Sequence, residues 1–361
     1  MVLPRRQCQI EALERTDKST EPNNVVKMFC GSGKTQVMID LFLLNKPTYG
    51  CFVFPSIPLI TQFINDYGHF FKSKKNPTKV LTICSKNETG SSGNTFTTDP
   101  TQIASFIQTA TSEVKVVCVT YHSFGTFMNA TDYQYPDLAL YDEAHHVFRE
   151  NVEELVLSNR IKKQVFFTAT PKDRKDEAGL SLIGETIYDY SHHDGVRDGV
   201  LNDFEIFVDL GSPSMSIYTR IARAILATRN NRAMTFHTDV VNSLDTFVTG
   251  AAEFEHTFKT VCANEYPDLV GVYTKFTVVG ITSDTHNKTT VLDAFDATLD
   301  DEVFILASCR TIGEGVDTKH ANMCVFVDTK QSYISIIQNI GRIVRKQKQD
   351  KVSTVLLPVS I

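Results

Sequence analysis

No Cys-x-x-Cys pair occurs anywhere in the 361 residues, although eight cysteines are present, at positions 8, 30, 51, 84, 118, 262, 309 and 324. Without that spacing there is neither a zinc-site signature nor a disulfide framework. Several of the eight lie inside apolar runs, where a thiol behaves as a small buried hydrophobe of a reducing compartment. Long apolar runs are missing too: none approaches the ~20 residues of a membrane-spanning helix. No basic-then-apolar leader opens the chain. These absences lead us to expect a soluble intracellular protein of cytoplasm or nucleus, with no membrane partner. An excess of basic charge is also lacking, since 36 Lys and Arg face 42 Asp and Glu for a net charge of −6. That argues against a broadly basic nucleic-acid coat. It leaves room for a basic groove, because the placement of charge decides binding.

What is present is enough apolar material, 42% of residues, for two ordinary domains with a core each. Short β-rich runs alternate with helix-sized segments. Strands are expected near 25–29, 51–54, 80–83, 116–120, 138–141 and 164–168, then near 204–209, 233–236, 278–282, 303–307, 323–327 and 353–356. Such alternation implies βαβ units and mainly parallel sheets. Asp99-Pro100 predicts a helix over about 100–112 with Pro100 at its first position. Residues 85–98, rich in Ser, Thr, Gly and Asn, read as a surface loop. The polar stretch Ser191-His192-His193-Asp194-Gly195 precedes a restart of the alternation, so the domains are expected to be 1–195 and 196–361.

Two motifs carry the chemistry. Lys27-Met-Phe-Cys-Gly-Ser-Gly-Lys-Thr-Gln36 sits where an apolar strand gives way to a helix-compatible run, Thr35 to Leu44. Backbone N–H groups of Gly31, Ser32, Gly33, Lys34 and Thr35 there can wrap a polyphosphate at the positive end of a helix. Lys34 would reach the β/γ-phosphates and the Thr35 hydroxyl would bind Mg²⁺. Met28 stands where the strict phosphate-loop pattern has glycine, so only the turn leading into the cradle departs. The second motif, Tyr141-Asp142-Glu143-Ala144-His145-His146, follows the apolar run Leu138–Tyr141. Carboxylates at the carboxyl end of a parallel strand occupy the chemical edge of an open α/β sheet. Asp142 would hold the magnesium, and Glu143 would orient or deprotonate the attacking water. An ATPase is expected.

Taken in order, the motifs resemble those of a superfamily-two helicase or translocase with a DEAH-type box, over nearly the whole chain. Leu3-Pro4-Arg5-Arg6-Gln7 resembles the element that helps hold the adenine, with Gln7 as its glutamine. Phe54 to Phe63 and Val119 to Ser123 look like the two elements that grip a nucleic-acid backbone. Phe167-Thr168-Ala169-Thr170-Pro171 is similar to the motif coupling hydrolysis to strand movement. Met234-Thr235-Phe236-His237 and Thr311 to Asp317 resemble second-domain elements. Gln338-Asn-Ile-Gly-Arg342-Ile-Val-Arg345 resembles the arginine-finger motif. The likeness looks closest to helicases of large DNA viruses and related bacterial proteins, which makes a viral factory one conceivable location.

The resemblance implies an α/β fold of two tandem RecA-like P-loop domains, each a mainly parallel sheet flanked by helices. It implies a nucleic-acid-dependent ATPase with ATP and Mg²⁺ as cofactors. Catalysis would fall to Asp142, Glu143, Gln338, Arg342 and Arg345, the last two sharing one face of a helix. Gly315 and Asp317 would join the ATP site. Ser56, Thr120, His122, His237 and Thr311 would contact the strand, and His145, Thr168 and Thr170 would relay between the two sites. Partners would be single-stranded or duplex nucleic acid, DNA favoured over RNA, with room for proteins of a larger complex. Two other functions stay open: an ATP-gated clamp with little turnover, and a small-molecule P-loop enzyme such as a kinase. The latter leaves the twin-arginine motif of the second domain unexplained.

Overall fold

The computed structural model describes residues 4–71, 78–85, 95–149, 151–172, 174–282, 285–309, 318, 320–328, 332–346 and 351–360. The chain divides into two compact units, Met1–His192 and His193–Ile361.

In the first unit the elements are α1 Gln7–Lys18, β1 Asn23–Met28, α2 Lys34–Asn45, β2 Tyr49–Phe54, α3 Ile57–Phe71, β3 Thr78–Ile83 and β4 Thr95–Thr97. They continue as α4 Pro100–Gln108, β5 Val114–Thr120, α5 Phe124–Ala130, β6 Leu138–Tyr141, α6 Glu153–Leu157, β7 Lys163–Thr168 and β8 Glu185–Tyr190. The eight strands form one sheet in the order β4-β3-β5-β2-β6-β7-β1-β8, and every pairing is parallel. A parallel sheet covered on both faces needs strands that are apolar on both sides. β2 and β6 meet that demand, each residue of both being buried. One face carries a core of Val53, Val119, Tyr121, Phe124, Tyr141 and Phe166. Phe42, Phe52, Phe63 and Phe71 stack beneath α2 and α3 with ring centroids 4.8–6.1 Å apart. Asp99 caps α4 by accepting the Thr101 N–H at 2.8 Å. That helix ends at Gln108, four residues short of the sequence expectation. Within the stretch read as a loop, 95–97 forms β4; residues 86–94 lie outside the described residues.

The second set of elements comprises α7 His192–Arg197, β9 Phe204–Gly211, α8 Ile217–Thr228, β10 Arg232–His237, α9 Thr246–Thr249, α10 Ala251–Glu265 and β11 Lys275–Ile281. After them come α11 Lys288–Asp296, β12 Glu302–Cys309, β13 Met323–Phe326, α12 Tyr333–Ile343 and β14 Ser353–Ser360. Its six strands are ordered β11-β12-β10-β13-β14-β9, again parallel throughout. Ile221, Ile225, Phe254, Phe258, Ile305 and Val325 lie in its core. No helix among the described residues is long and apolar enough to cross a membrane.

Candidate nucleotide site and the strand-facing edge

In the first sheet β6, β7 and β1 are neighbours, so the loops leaving their carboxyl ends are brought within side-chain reach of one another. The loop after β1 holds the glycine-rich turn. Gly31 (φ 83°) and Gly33 (φ 93°) occupy left-handed backbone, which costs a non-glycine residue strain. At Gly33 a Cβ would also lie 2.2 Å from the Gln9 amide nitrogen. Lys34 opens α2 and is buried. Its Nζ donates to the Met28 carbonyl at 3.3 Å and stands 3.5 Å from Glu143 Oε1. Burial opposes the Lys34 charge, but Glu143, Cys30 and Asp142 outweigh it and hold the pKa above the ordinary value. Thr35 follows in the first turn of α2.

The loop after β6 brings the carboxylates. Asp142 is held by its backbone: its N–H donates to the Val53 carbonyl of β2 at 2.8 Å, and its carbonyl accepts from the Tyr121 hydroxyl at 2.8 Å. Burial, then the Glu143 charge, push the Asp142 pKa up to about 7, against the pull of Lys34. Glu143 is left-handed (φ 46°, ψ 56°), a conformation that costs a residue with a side chain of order 1–3 kcal/mol and clusters at functional sites. One of its oxygens faces Lys34. The other, Oε2, is buried without a hydrogen bond and lies 3.5 Å from His145 Nδ1. The same imidazole nitrogen is 3.5 Å from Thr168 Oγ1 at the end of β7, and Thr168 Oγ1 accepts the Thr170 N–H at 3.1 Å. Thus Lys34, Glu143, His145, Thr168 and Thr170 form one contiguous polar line across three adjacent strand ends. His146 packs inward beside Tyr121 and His145.

Four expectations need correction. Gln7 is not the glutamine at the loop: it is exposed and donates to Glu11 one helical turn on, at 3.0 Å. Gln9, buried, takes that place. Its Oε1 accepts the Arg6 N–H, and its Nε2 donates to the Ser32 and Gly33 carbonyls at 3.4 and 3.3 Å. Arg6 adds a bond to the Gly31 carbonyl at 3.0 Å. The signal was available, because Arg6 and Gln9 have the Arg-x-x-Gln spacing and residues 3–7 do not. Thr120 is buried, and its Oγ1 accepts the Ser123 N–H, which makes it the cap of the turn 121–123 rather than an exposed grip. His237 is fully buried, its two ring nitrogens engaged with Thr235 Oγ1 at 2.9 Å and Ser243 Oγ at 2.7 Å. Arg342 and Arg345 do not share a helix face. α12 ends at Ile343, and Arg345 pairs in an extended bridge with Leu201.

The remaining candidates divide. Ser56, after β2, has a buried hydroxyl without a hydrogen-bond partner, and His122, after β5, is exposed. Both lie on the carboxyl edge of the first sheet, on the half formed by β5 and β2. Gln338 and Arg342 are on α12, half-buried and buried respectively. Thr311, Gly315 and Asp317 lie outside the described residues. Among the described residues no group of His, Cys, Asp and Glu forms a metal cluster on its own. The residues fit a magnesium nucleotide in another way. Buried Asp142 and half-buried Glu143 lie beside Lys34, and one Glu143 oxygen lacks a donor, so the loop can accept further positive charge.

Comparison with known proteins agrees with this architecture. Residues 3–173 match the family model described as type III restriction enzyme, res subunit, and residues 221–347 match the helicase conserved C-terminal domain. Its two halves thus match models of the two helicase domains, so the chain is similar to superfamily-two helicases with two RecA-like domains, viral members among them. It is 27% identical over 357 residues to the probable helicase A859L of African swine fever virus (a Malawi tick isolate), an alignment covering 93% of this chain and 38% of that protein. The chain therefore spans well under half the length of that relative. Among solved structures, the type ISP restriction-modification enzyme LlaBIII bound to DNA superposes with a TM-score of 0.78 at 20% identity, over 100% of this chain and 28% of that one. A nuclease-deletion mutant of the type ISP enzyme LlaGI with a DNA substrate mimic gives 0.71 at 20% identity, over 99% and 27%.

Proposed function

We propose that this chain is a nucleic-acid-dependent ATPase that couples ATP hydrolysis to movement along a strand, DNA in preference to RNA. The observation that carries the reading is the convergence of Lys34, Asp142, Glu143, His145 and Thr168 on one glycine-lined loop. A lysine that stays charged while buried is suited to the β- and γ-phosphates. Nucleotide phosphates would take over the Lys34 contact that Glu143 now makes, and the freed carboxylate would orient water for in-line attack. Thr35 and Asp142 would hold the magnesium, which supplies charge neutralisation when bound. Gln9 and Arg6 keep the loop carbonyls turned away from the phosphates, so the N–H groups point inward. Gln338, Arg342 and Arg345 are assigned to the transferred phosphoryl group, as the family resemblance implies. DNA is favoured because both type ISP neighbours are described with DNA or a DNA mimic. The relative's greater length leaves room for partner or accessory functions.

The test is steady-state ATPase rate alone, with single-stranded DNA and with single-stranded RNA, using Glu143→Gln as the blank. Loss of water orientation should cut turnover by roughly 10²–10⁴ while nucleotide binding persists. Stimulation by one polymer names the track. Turnover indifferent to both polymers would refute the motor, and equal rates in the variant would remove Glu143 from the chemistry.

A further inference from the structure

Three strand ends lie in the order β5-β2-β6 on the carboxyl edge of the first sheet. The outer two carry different parts of the machine. The loop after β6 bears Asp142 and Glu143, and the loop after β5 bears His122, the exposed central residue of the turn that Thr120 caps. One side chain crosses the intervening strand. Tyr121, 1% exposed, reaches from the end of β5 and donates its hydroxyl to the Asp142 carbonyl at 2.8 Å. Val53 of β2 holds the N–H of that same residue. The Tyr121 ring is fixed by its neighbours, 5.6 Å from the His146 ring and 6.5 Å from that of Tyr141. A rigid aromatic lever therefore joins the turn that carries exposed His122 to the peptide that links the two carboxylates.

We propose that Tyr121 is a positioning residue that transmits strand engagement at the 120–123 turn to the Asp142–Glu143 peptide. The inference rests on the motor reading above. Coupling needs an element with two states, a role assigned in this proposal to the Asp142–Glu143 peptide. The left-handed backbone of Glu143 (φ 46°) stores strain, so a small displacement of the Asp142 carbonyl lets the Asp142–Glu143 peptide rotate and redirects the carboxylate beside Lys34. A phosphate drawn onto His122 moves the turn, the turn moves the tyrosine, and the hydroxyl moves the carbonyl. Tyr121 itself is buried, so it acts through Asp142 and Glu143 rather than by touching strand or nucleotide.

Tyr121→Phe removes the hydroxyl and keeps the ring. The measurements are kcat and KM for ATP with and without saturating single-stranded DNA, and DNA affinity by anisotropy. The strand-stimulated kcat should fall further than the unstimulated one, by on the order of tenfold, with DNA affinity and KM for ATP following wild type. Parallel loss of both rates, or full stimulation in the variant, overturns the proposal. A wild-type protein that strand does not stimulate overturns the motor reading itself, and that failure is visible before any variant is made. Hydrogen exchange on the wild type covers the case of a variant that does not fold. Adding strand without nucleotide should change protection of the amides at 142–144, and unchanged protection counts against the lever.

Discussion

Gln7 and Gln9 stand two positions apart on one helix and have opposite fates. The first turn of α1 points residue 9 at the phosphate loop, whereas residue 7 faces solvent and meets Glu11. Gln9 satisfies two loop carbonyls and ties down the Arg6 N–H with a single amide. Removing a buried hydrogen-bonding partner leaves groups unsatisfied at about 1–3 kcal/mol. Gln9→Ala is therefore expected to raise KM for ATP by roughly five- to thirtyfold, an equivalent of ~1–2 kcal/mol. Gln7→Ala should stay within about twofold of wild type, as surface substitutions usually do. Nucleotide titration of the two variants decides it, and the reverse ranking would restore Gln7 to the site.

Asp328, just beyond β13, works at the scale of whole elements. Its Oδ2 accepts the Thr238 N–H at 2.7 Å, the Thr238 hydroxyl at 3.0 Å and the Ser243 hydroxyl at 2.8 Å, tying the ends of β10 and β13 to the turn 240–245. Burial opposes the charge, but these donors prevail and hold the pKa below its usual value. A depressed carboxylate stabilises the fold above the unfolded pKa of about 3.9 and loses that contribution as pH falls through the folded pKa. Asp328→Asn should thus be destabilised at pH 7 by ~1–3 kcal/mol, the deficit narrowing below about pH 4; a pH-independent deficit in denaturant titrations would show that the charge is irrelevant. The same scale separates what the sequence makes legible from what it hides. β2, β6 and β7 announce themselves as apolar runs because both faces are covered. β8 passes unnoticed because it is an edge strand whose Glu185, Thr186 and Asp189 face solvent. The phosphate loop and Asp142-Glu143 are local motifs at strand ends, so spacing alone places them. Arg345 leaves its expected helix because Leu201, 144 residues earlier, pairs with it, and no local pattern encodes such a contact. His237 fails as a surface contact because β10 runs between β12 and β13, which buries it, while Thr235 and Ser243 take its ring nitrogens.

At the scale of the molecule, the net charge of −6 sets a condition on the proposed strand binding. A polyanion approaching this chain meets a repulsive mean field, so affinity must come from a few local contacts rather than from bulk charge. Contacts to a single-stranded backbone release counterions with a log–log salt slope of about −0.7 per phosphate neutralised. A grip on roughly five phosphates would give a slope near −3.5, and a fourfold rise in salt would then weaken binding by on the order of a hundredfold. Anisotropy titrations between 50 and 200 mM salt, the range over which that slope is resolved, read it directly. A slope close to zero would exclude a backbone-gripping edge, and with it any role for Ser56 and His122 as phosphate contacts. A steep slope that persists in Glu143→Gln would separate grip from hydrolysis, as the placement of those residues on a different half of the sheet edge from Lys34 and Glu143 requires.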